Sequence, residues 1–209
     1  FSLIKQIAKT GKPMIISTGL STLKEISKTV NFAKRNGSGE IALLYCVSNY
    51  PAKNSDFNLK NITILKKKFN CVVGLSDHSN DNDISKISVS LGAQLFEKHI
   101  ALNKQNKGFD VKFSLKGNEI RKFKNDLLKA YDILGQNNFI RKKNELKNLI
   151  YRRSIYTINN ISKGEKFTKK NVKCIRPSLG LDPTLYFKLL SKKSKSNIKS
   201  GRPILKRYF

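Results

Sequence analysis

Apolar residues in the first two thirds of the chain alternate between short continuous runs and longer runs at helical spacing. Lys12 to Thr18 (KPMIIST) predicts a short buried strand that Gly19 ends. Thr22 and Glu25 form a T-x-x-E capping box, and Leu23, Ile26, Val30 and Ala33 continue at helical spacing to Gly37 and Gly39. Ile41 to Val47 (IALLYCV) is a second strand stopped by Pro51, and Leu59, Ile62, Leu65 and Phe69 mark a helix. Cys71 to Leu75 predicts a third strand. Asp83 to Leu91 predicts a largely buried helix through Ile84, Ile87, Val89 and Leu91, and a fourth strand begins at Ala93 to Phe96. A long helix spans about Glu119 to Leu134, with Ile120, Phe123, Leu127, Tyr131 and Leu134 on one face. Leu3, Ile4 and Ile7 suit a short helix at the start.

Repeated strand-then-helix units with short apolar strands imply parallel strands covered on both faces. Four such units match half of a (β/α)8 barrel. The alternative is a small open doubly wound sheet, but the turn after the first strand reads S-T-G-L-S-T, not G-x-G-x-x-G. Residues 1–135 are therefore read as the barrel-like part and polar residues 136–150 as a linker. Residues 151–209 are read as a small β-rich module, in which Arg153 to Ile158 alternates like a strand and Asn159–Asn160 and Lys163–Gly164 supply turns.

The 209 residues carry 42 Lys and Arg against 14 Asp and Glu, a net charge of +28, which raises nucleic-acid binding as a function class. The lysines are spread over every segment, and the aromatics fall mostly in predicted cores, so no stacking surface is indicated and neither nucleic acid nor membrane is expected as a partner. No run of about 18 apolar residues is present for a membrane span. Cys46, Cys71 and Cys174 are odd in number and far apart, which indicates neither a disulfide framework nor a zinc knuckle and points to a reducing cytoplasm. The first residues do not form a signal peptide, and the chain does not begin with Met, so a missing N-terminal part is expected.

Polar residues follow each apolar strand core: Ser17-Thr18-Gly19, then Ser48-Asn49-Tyr50, then Ser76-Asp77-His78, then Glu97-Lys98-His99. In a parallel barrel, chemistry gathers at these C-terminal strand ends. The chain has two histidines, His78 and His99, at the ends of consecutive strands. Alternation puts Gly74, Ser76 and His78 on one face and Glu97 with His99 on one face of the next strand. If both faces point inward, the imidazoles converge as a two-His site for a divalent cation, with positions open for substrate and water and with Asp77 and Glu97 as flanking carboxylates. The competing reading makes each histidine a hydrogen-bonded rim residue.

KPMIISTG, ALLYCVSNYP, VVGLSDHS and LFEKHIAL, in this order, resemble the last four barrel strands of the sialic acid synthase family, and RRSIYTINNISKGEKFTKKNVKCIRPSLGLDP resembles that family's C-terminal antifreeze-like SAF domain. The resemblance covers essentially the whole chain. It implies an α/β fold: the second half of a TIM barrel followed by a small β-rich SAF domain. It also implies a homodimeric enzyme that condenses phosphoenolpyruvate with an open-chain amino sugar to form a nonulosonic acid and releases phosphate. By the same resemblance His78 and His99 hold Mn2+ or Mg2+, Ser17 and Ser76 hold the phosphate of phosphoenolpyruvate, and Ser48 and Tyr50 line the substrate pocket. Glu97 and Asp110 join the histidines as catalytic residues. Asp110 matches the Asp of the family's GPD motif and contacts the sugar, with Phe109 in place of Pro. Arg176 matches an SAF arginine that reaches the neighbouring subunit's site.

Ser48 in place of the usual Asn, and the IRPSLGLDP stretch, favour the pseudaminic acid branch over N-acetylneuraminate and legionaminate synthases. The family's first four strands, with their lysines and glutamate, have no counterpart here. Two sheet edges are then left bare, and the polypeptide alone is expected to be inactive and poorly folded. A carbohydrate-binding module that uses only the SAF-like part is the rival of a different class; it has no need for the strand-end Ser, Asp, Glu and His set.

Overall fold

A computed structural model describes residues 1–209, which divide into two compact units, 1–136 and 137–209. In the first, α1 (Ser2–Ala8) precedes β1 (Met14–Ser17), α2 (Leu23–Arg35), β2 (Ile41–Cys46), α3 (Lys60–Phe69), β3 (Val72–Asp77), α4 (Asn82–Ser90) and β4 (Leu95–Lys98). The four strands pair in parallel in the order β1-β2-β3-β4. This sequential order decides between the two expected architectures. A doubly wound sheet reverses its strand order at a switch point. A sequential parallel order with right-handed crossovers instead puts every helix on the same face. The sheet is half of a barrel, with helices outside and the other face turned inward.

Local chemistry sets these elements. Thr22 caps α2: its hydroxyl accepts from Glu25 N while the Glu25 carboxylate accepts from Thr22 N at 2.7 Å. The hydrogen bonds from Thr22 hold the Glu25 carboxyl below its ordinary pKa. The outer face packs Met14, Ile41, Leu43 and Val73 against Ile26, Val30 and Ala33 of α2 and Ile62 and Leu65 of α3. Burying each such side chain contributes about 1.5–3 kcal/mol. On the other face, Ile15 and Ser17 are exposed on β1, and the rungs run Ser17–Leu44–Gly74–Leu95 and Cys46–Ser76–Glu97.

Several expected details shift. β3 runs two residues beyond Leu75 because Ser76 and Asp77 still pair with Glu97 and Lys98. On α4 the buried residues are Ile84, Ser85, Ser88 and Val89, whereas Ile87 is 53% exposed. After the short parallel pair β5 (Ile100–Ala101) and β6 (Leu115–Lys116), α5 (Asn118–Leu134) packs on α4 and buries Phe123. Leu127 of its expected core face is half-buried, whereas Tyr131 and Leu134 are 66% and 52% exposed.

In the second unit, the polar stretch contains α6 (Lys143–Leu146) and a 3-10 turn at Lys147–Tyr151. β7 (Ser154–Thr157) then pairs antiparallel with β8 (Val172–Ile175), and α7 (Tyr186–Leu190) follows. Regular strand is confined to that pair, extended by the single bridges Ile161–Ile198, Lys166–Lys193 and Tyr156–Pro203. Ile155, Ile161, Phe167, Val172, Leu189, Ile198 and Ile204 form a separate core. All three cysteines are free thiols, and no helix is long and apolar enough to cross a membrane.

Candidate active site at the strand ends

β3 and β4 carry the chemistry to the rim of the sheet. His78 and His99 stand one residue beyond the last paired rung, Asp77–Lys98, with ring centres 5.3 Å apart at 65°. A metal–imidazole bond of about 2.1 Å allows two ligating rings to lie up to roughly 6.5 Å apart, so this spacing is within reach of one cation. His78 is 6% exposed, and its Nδ1 lies 3.0 Å from the Val47 carbonyl oxygen. That contact assigns the ring hydrogen to Nδ1 and leaves a lone pair on Nε2. Nε2 in turn lies 3.2 Å from Ser76 Oγ, whose own hydrogen is directed to Glu97 Oε1 at 2.7 Å. In the neutral ring that lone pair faces the site, and a carbonyl holding the other nitrogen is the usual support of a ligating histidine.

His99 is partly exposed, its Nδ1 3.5 Å from Asp110 Oδ2. Aromatic rings enclose the pair: Tyr50 packs on His78 at 4.3 Å, and the buried Phe113 meets His99 edge-on at 5.1 Å. Beside them Tyr50, Pro51, Gly108, Phe109, Lys112 and Phe113 line an open recess of about 520 Å³. No group of three or more His, Cys, Asp or Glu side chains converges as a metal site, so the two imidazoles are the potential ligands brought together here.

The structure thus brings Tyr50, Ser76, His78, Glu97, His99 and Asp110 together. Ser17 is exposed at the end of β1, two strands from β3. Ser48 is half-buried and lines a different recess, of about 430 Å³, with Thr18, Gly19, Cys46, Asn49 and Asn61. Arg176 is exposed directly after β8 in the second unit. Cys46 is no nucleophile in waiting, since burial pushes its thiol pKa up although the Gly19 N–H pulls it the other way. Asp77, expected as a flanking carboxylate, turns away. It lies 1% exposed on the outer face, paired with the buried Lys98 at 2.9 Å. The alternation that put Ser76 and His78 together already assigns Asp77 to the opposite side. Phe113 is the site neighbour that sequence reasoning missed, its only signal being its place three residues after Asp110.

A parallel half-barrel with polar side chains gathered at its strand ends defines a barrel-type domain whose chemistry sits at one rim. The NeuB family model matches residues 1–139 and the SAF domain model matches residues 152–207. The chain belongs to the NeuB family. It is 40% identical over 200 residues to the pseudaminic acid synthase of Campylobacter jejuni, covering 96% of this chain and 58% of that protein. It is 36% identical over 204 residues to the N,N'-diacetyllegionaminic acid synthase of the same species, covering 96% and 61%. Among solved structures, the N-acetylneuraminic acid synthetase of Leptospira borgpetersenii in complex with citrate superposes with a TM-score of 0.65. It is 31% identical, over 71% of this chain and 52% of that one. The chain spans about six tenths of the length of the curated relatives it matches.

Proposed function

We propose that the whole protein condenses phosphoenolpyruvate with an open-chain amino sugar, forming a nonulosonic acid and releasing phosphate. The observation that carries this reading is the pair His78–His99 on adjacent strand ends, with the Ser76–Glu97 hydrogen bond two residues back on the same face. Mn2+ or Mg2+ held by the two histidines supplies Lewis acidity toward the sugar aldehyde oxygen. The side chains do the rest. Val47 O fixes the His78 ring, Tyr50 covers its face, and Asp110 orients His99 while lying exposed toward the sugar. Glu97 keeps Oε1 on Ser76 and presents its second oxygen for a proton or a water. Ser76 has one hydrogen to give and gives it to Glu97, so holding the phosphate of phosphoenolpyruvate falls first to Ser17.

In this proposal the enzyme is a cytoplasmic homodimer, and Arg176 completes the site of the neighbouring subunit. The identity to pseudaminic acid synthases favours that branch, and the aromatic recess beside the histidines suits a deoxy, doubly acylated sugar. A sugar hydroxyl left unpaired in such a recess costs about 1–3 kcal/mol. The 2,4-diacetamido-2,4,6-trideoxyaltrose precursor of pseudaminic acid is therefore expected to exceed N-acetylmannosamine by about tenfold or more in kcat/KM. Phosphate release from phosphoenolpyruvate with each sugar, in the presence of Mn2+, measures this. Equal turnover of N-acetylmannosamine overturns the pseudaminic assignment, preference for the legionaminate precursor replaces it with that branch, and no sugar-dependent release overturns the synthase reading.

A further inference from the structure

The backbone ladder between β3 and β4 ends one residue short of the histidines, at Asp77–Lys98. Beyond it the strands part. The His78 carbonyl accepts from Ala52 N at 3.0 Å, after β2, whereas the His99 carbonyl accepts from Leu115 N at 2.9 Å, at β6. Each histidine is thus tied by its backbone to a different neighbour, and neither tie runs between the two strands. Besides the Ser76–Glu97 hydrogen bond one rung back on the histidines' own face, a polar side-chain link joins the two strand ends on the opposite face of the sheet. Lys98 Nζ contacts Asp77 Oδ2 at 2.9 Å and donates to Ser79 O at 2.6 Å. Lys98 belongs to the strand that carries His99, and it grips the residue before His78 and the residue after it.

The grip is dry and saturated. The Lys98 and Asp77 side chains are 4% and 1% exposed. Asp77 Oδ1 accepts from Ser79 N at 2.8 Å and Ser79 Oγ at 2.7 Å, and Oδ2 accepts from Ser85 Oγ of α4 at 2.7 Å as well as from Lys98. A buried ion pair is weak evidence for stability, because desolvation offsets its attraction. An apolar pair of similar volume would fill the same space. What an apolar pair cannot do is bind a backbone carbonyl on the far side of His78 and fix the separation of two strand ends.

We infer that Lys98 and Asp77 are positioning residues that clamp the ends of β3 and β4 from behind and set the spacing of His78 and His99. Neither touches the site. The functional consequence, a divalent cation held at that spacing, rests on the reading of the histidines proposed above; the clamp itself does not.

The test uses the whole protein carrying Lys98→Met, which leaves Asp77 unpaired, and the double variant Asp77→Asn with Lys98→Met. The double variant removes both charges, keeps the Ser79 hydrogen bonds on Oδ1 and reverses the Ser85 one, in which the new amide donates, so it is expected to melt above Lys98→Met and closer to the wild-type temperature. Mn2+ affinity, read by electron paramagnetic resonance of the free ion, is expected to fall about tenfold or more in the folded double variant, as for other outer-shell supports of metal ligands. In its crystal structure the His78–His99 ring separation is expected to widen beyond 5.3 Å. A double variant with wild-type Mn2+ affinity, or with the separation unchanged, overturns the clamp. If the wild-type protein binds no Mn2+, the metal reading fails and the ring separation alone decides the clamp.

Discussion

Gly74→Ala asks whether β3 is packed as tightly between its neighbours as the structure places it. A Cβ at Gly74 overlaps the Leu95 carbonyl oxygen and stands 2.7 Å from both Leu95 C and Leu44 Cδ2. Carbon atoms in favourable contact lie about 3.5–4.0 Å apart, so the strands must part by roughly 1 Å. Leu44 can rotate, but the Leu95 carbonyl is backbone of the adjacent strand and cannot yield without moving the ladder that carries Ser76–Glu97 and Asp77–Lys98. Overpacking of this kind costs about 1–3 kcal/mol, and an obstruction made of backbone belongs at the upper end. For a domain of this size about 3 kcal/mol lowers Tm by roughly 6–12 °C. Calorimetry of the whole protein measures it, with Gly11→Ala as the control. Gly11 has nothing within 4 Å of an added Cβ but a φ of +67°, so its variant carries only the left-handed penalty of about 1–2 kcal/mol. If Gly74→Ala melts no lower than Gly11→Ala, the strand contact is wrong.

Thr22→Ala removes the hydroxyl half of the α2 capping box, leaving the Glu25 carboxylate on the backbone N–H, and is expected to cost about 1 kcal/mol in urea denaturation; an unchanged midpoint contradicts the cap. Subunits carrying His78→Ala and subunits carrying Arg176→Ala, each inactive alone, are expected to recover activity when mixed. Random pairing gives half heterodimers with one working site of two, about a quarter of the wild-type rate. No recovery in verified heterodimers places Arg176 outside the partner's site.

The strands were legible because parallel strands covered on both faces must be short and apolar throughout, and IALLYCV and CVVGL have that form. That Ser76 and His78 share one face, and Glu97 and His99 another, followed from the two-residue period; that the two faces meet depends on the register of β3 on β4, which the period does not give. The end of β3 did not, because Ser76 and Asp77 look like loop residues until their partners on β4 are known. Nor could the pattern of α5 say what would cover Tyr131 and Leu134, since amphipathicity marks a face and not its occupant. The second unit was the least readable. Ile161, Phe167, Ile198 and Ile204 reach its core from segments with no regular period, so the core is set by turns and single bridges that periodicity does not record. In the polar stretch before it, α6 and the turn after it are too short to leave a periodic signature.

The proposed function turns on His78 and His99 together holding the divalent cation on which sugar-dependent phosphate release depends. The direct measurement is phosphate release by the whole protein from phosphoenolpyruvate and sugar, in chelator and then with Mn2+ restored, for the wild type and for His99→Ala. Wild-type release is expected to vanish in chelator and return with Mn2+, and a folded His99→Ala variant is expected not to be rescued by Mn2+. Release by His99→Ala at the wild-type rate contradicts it.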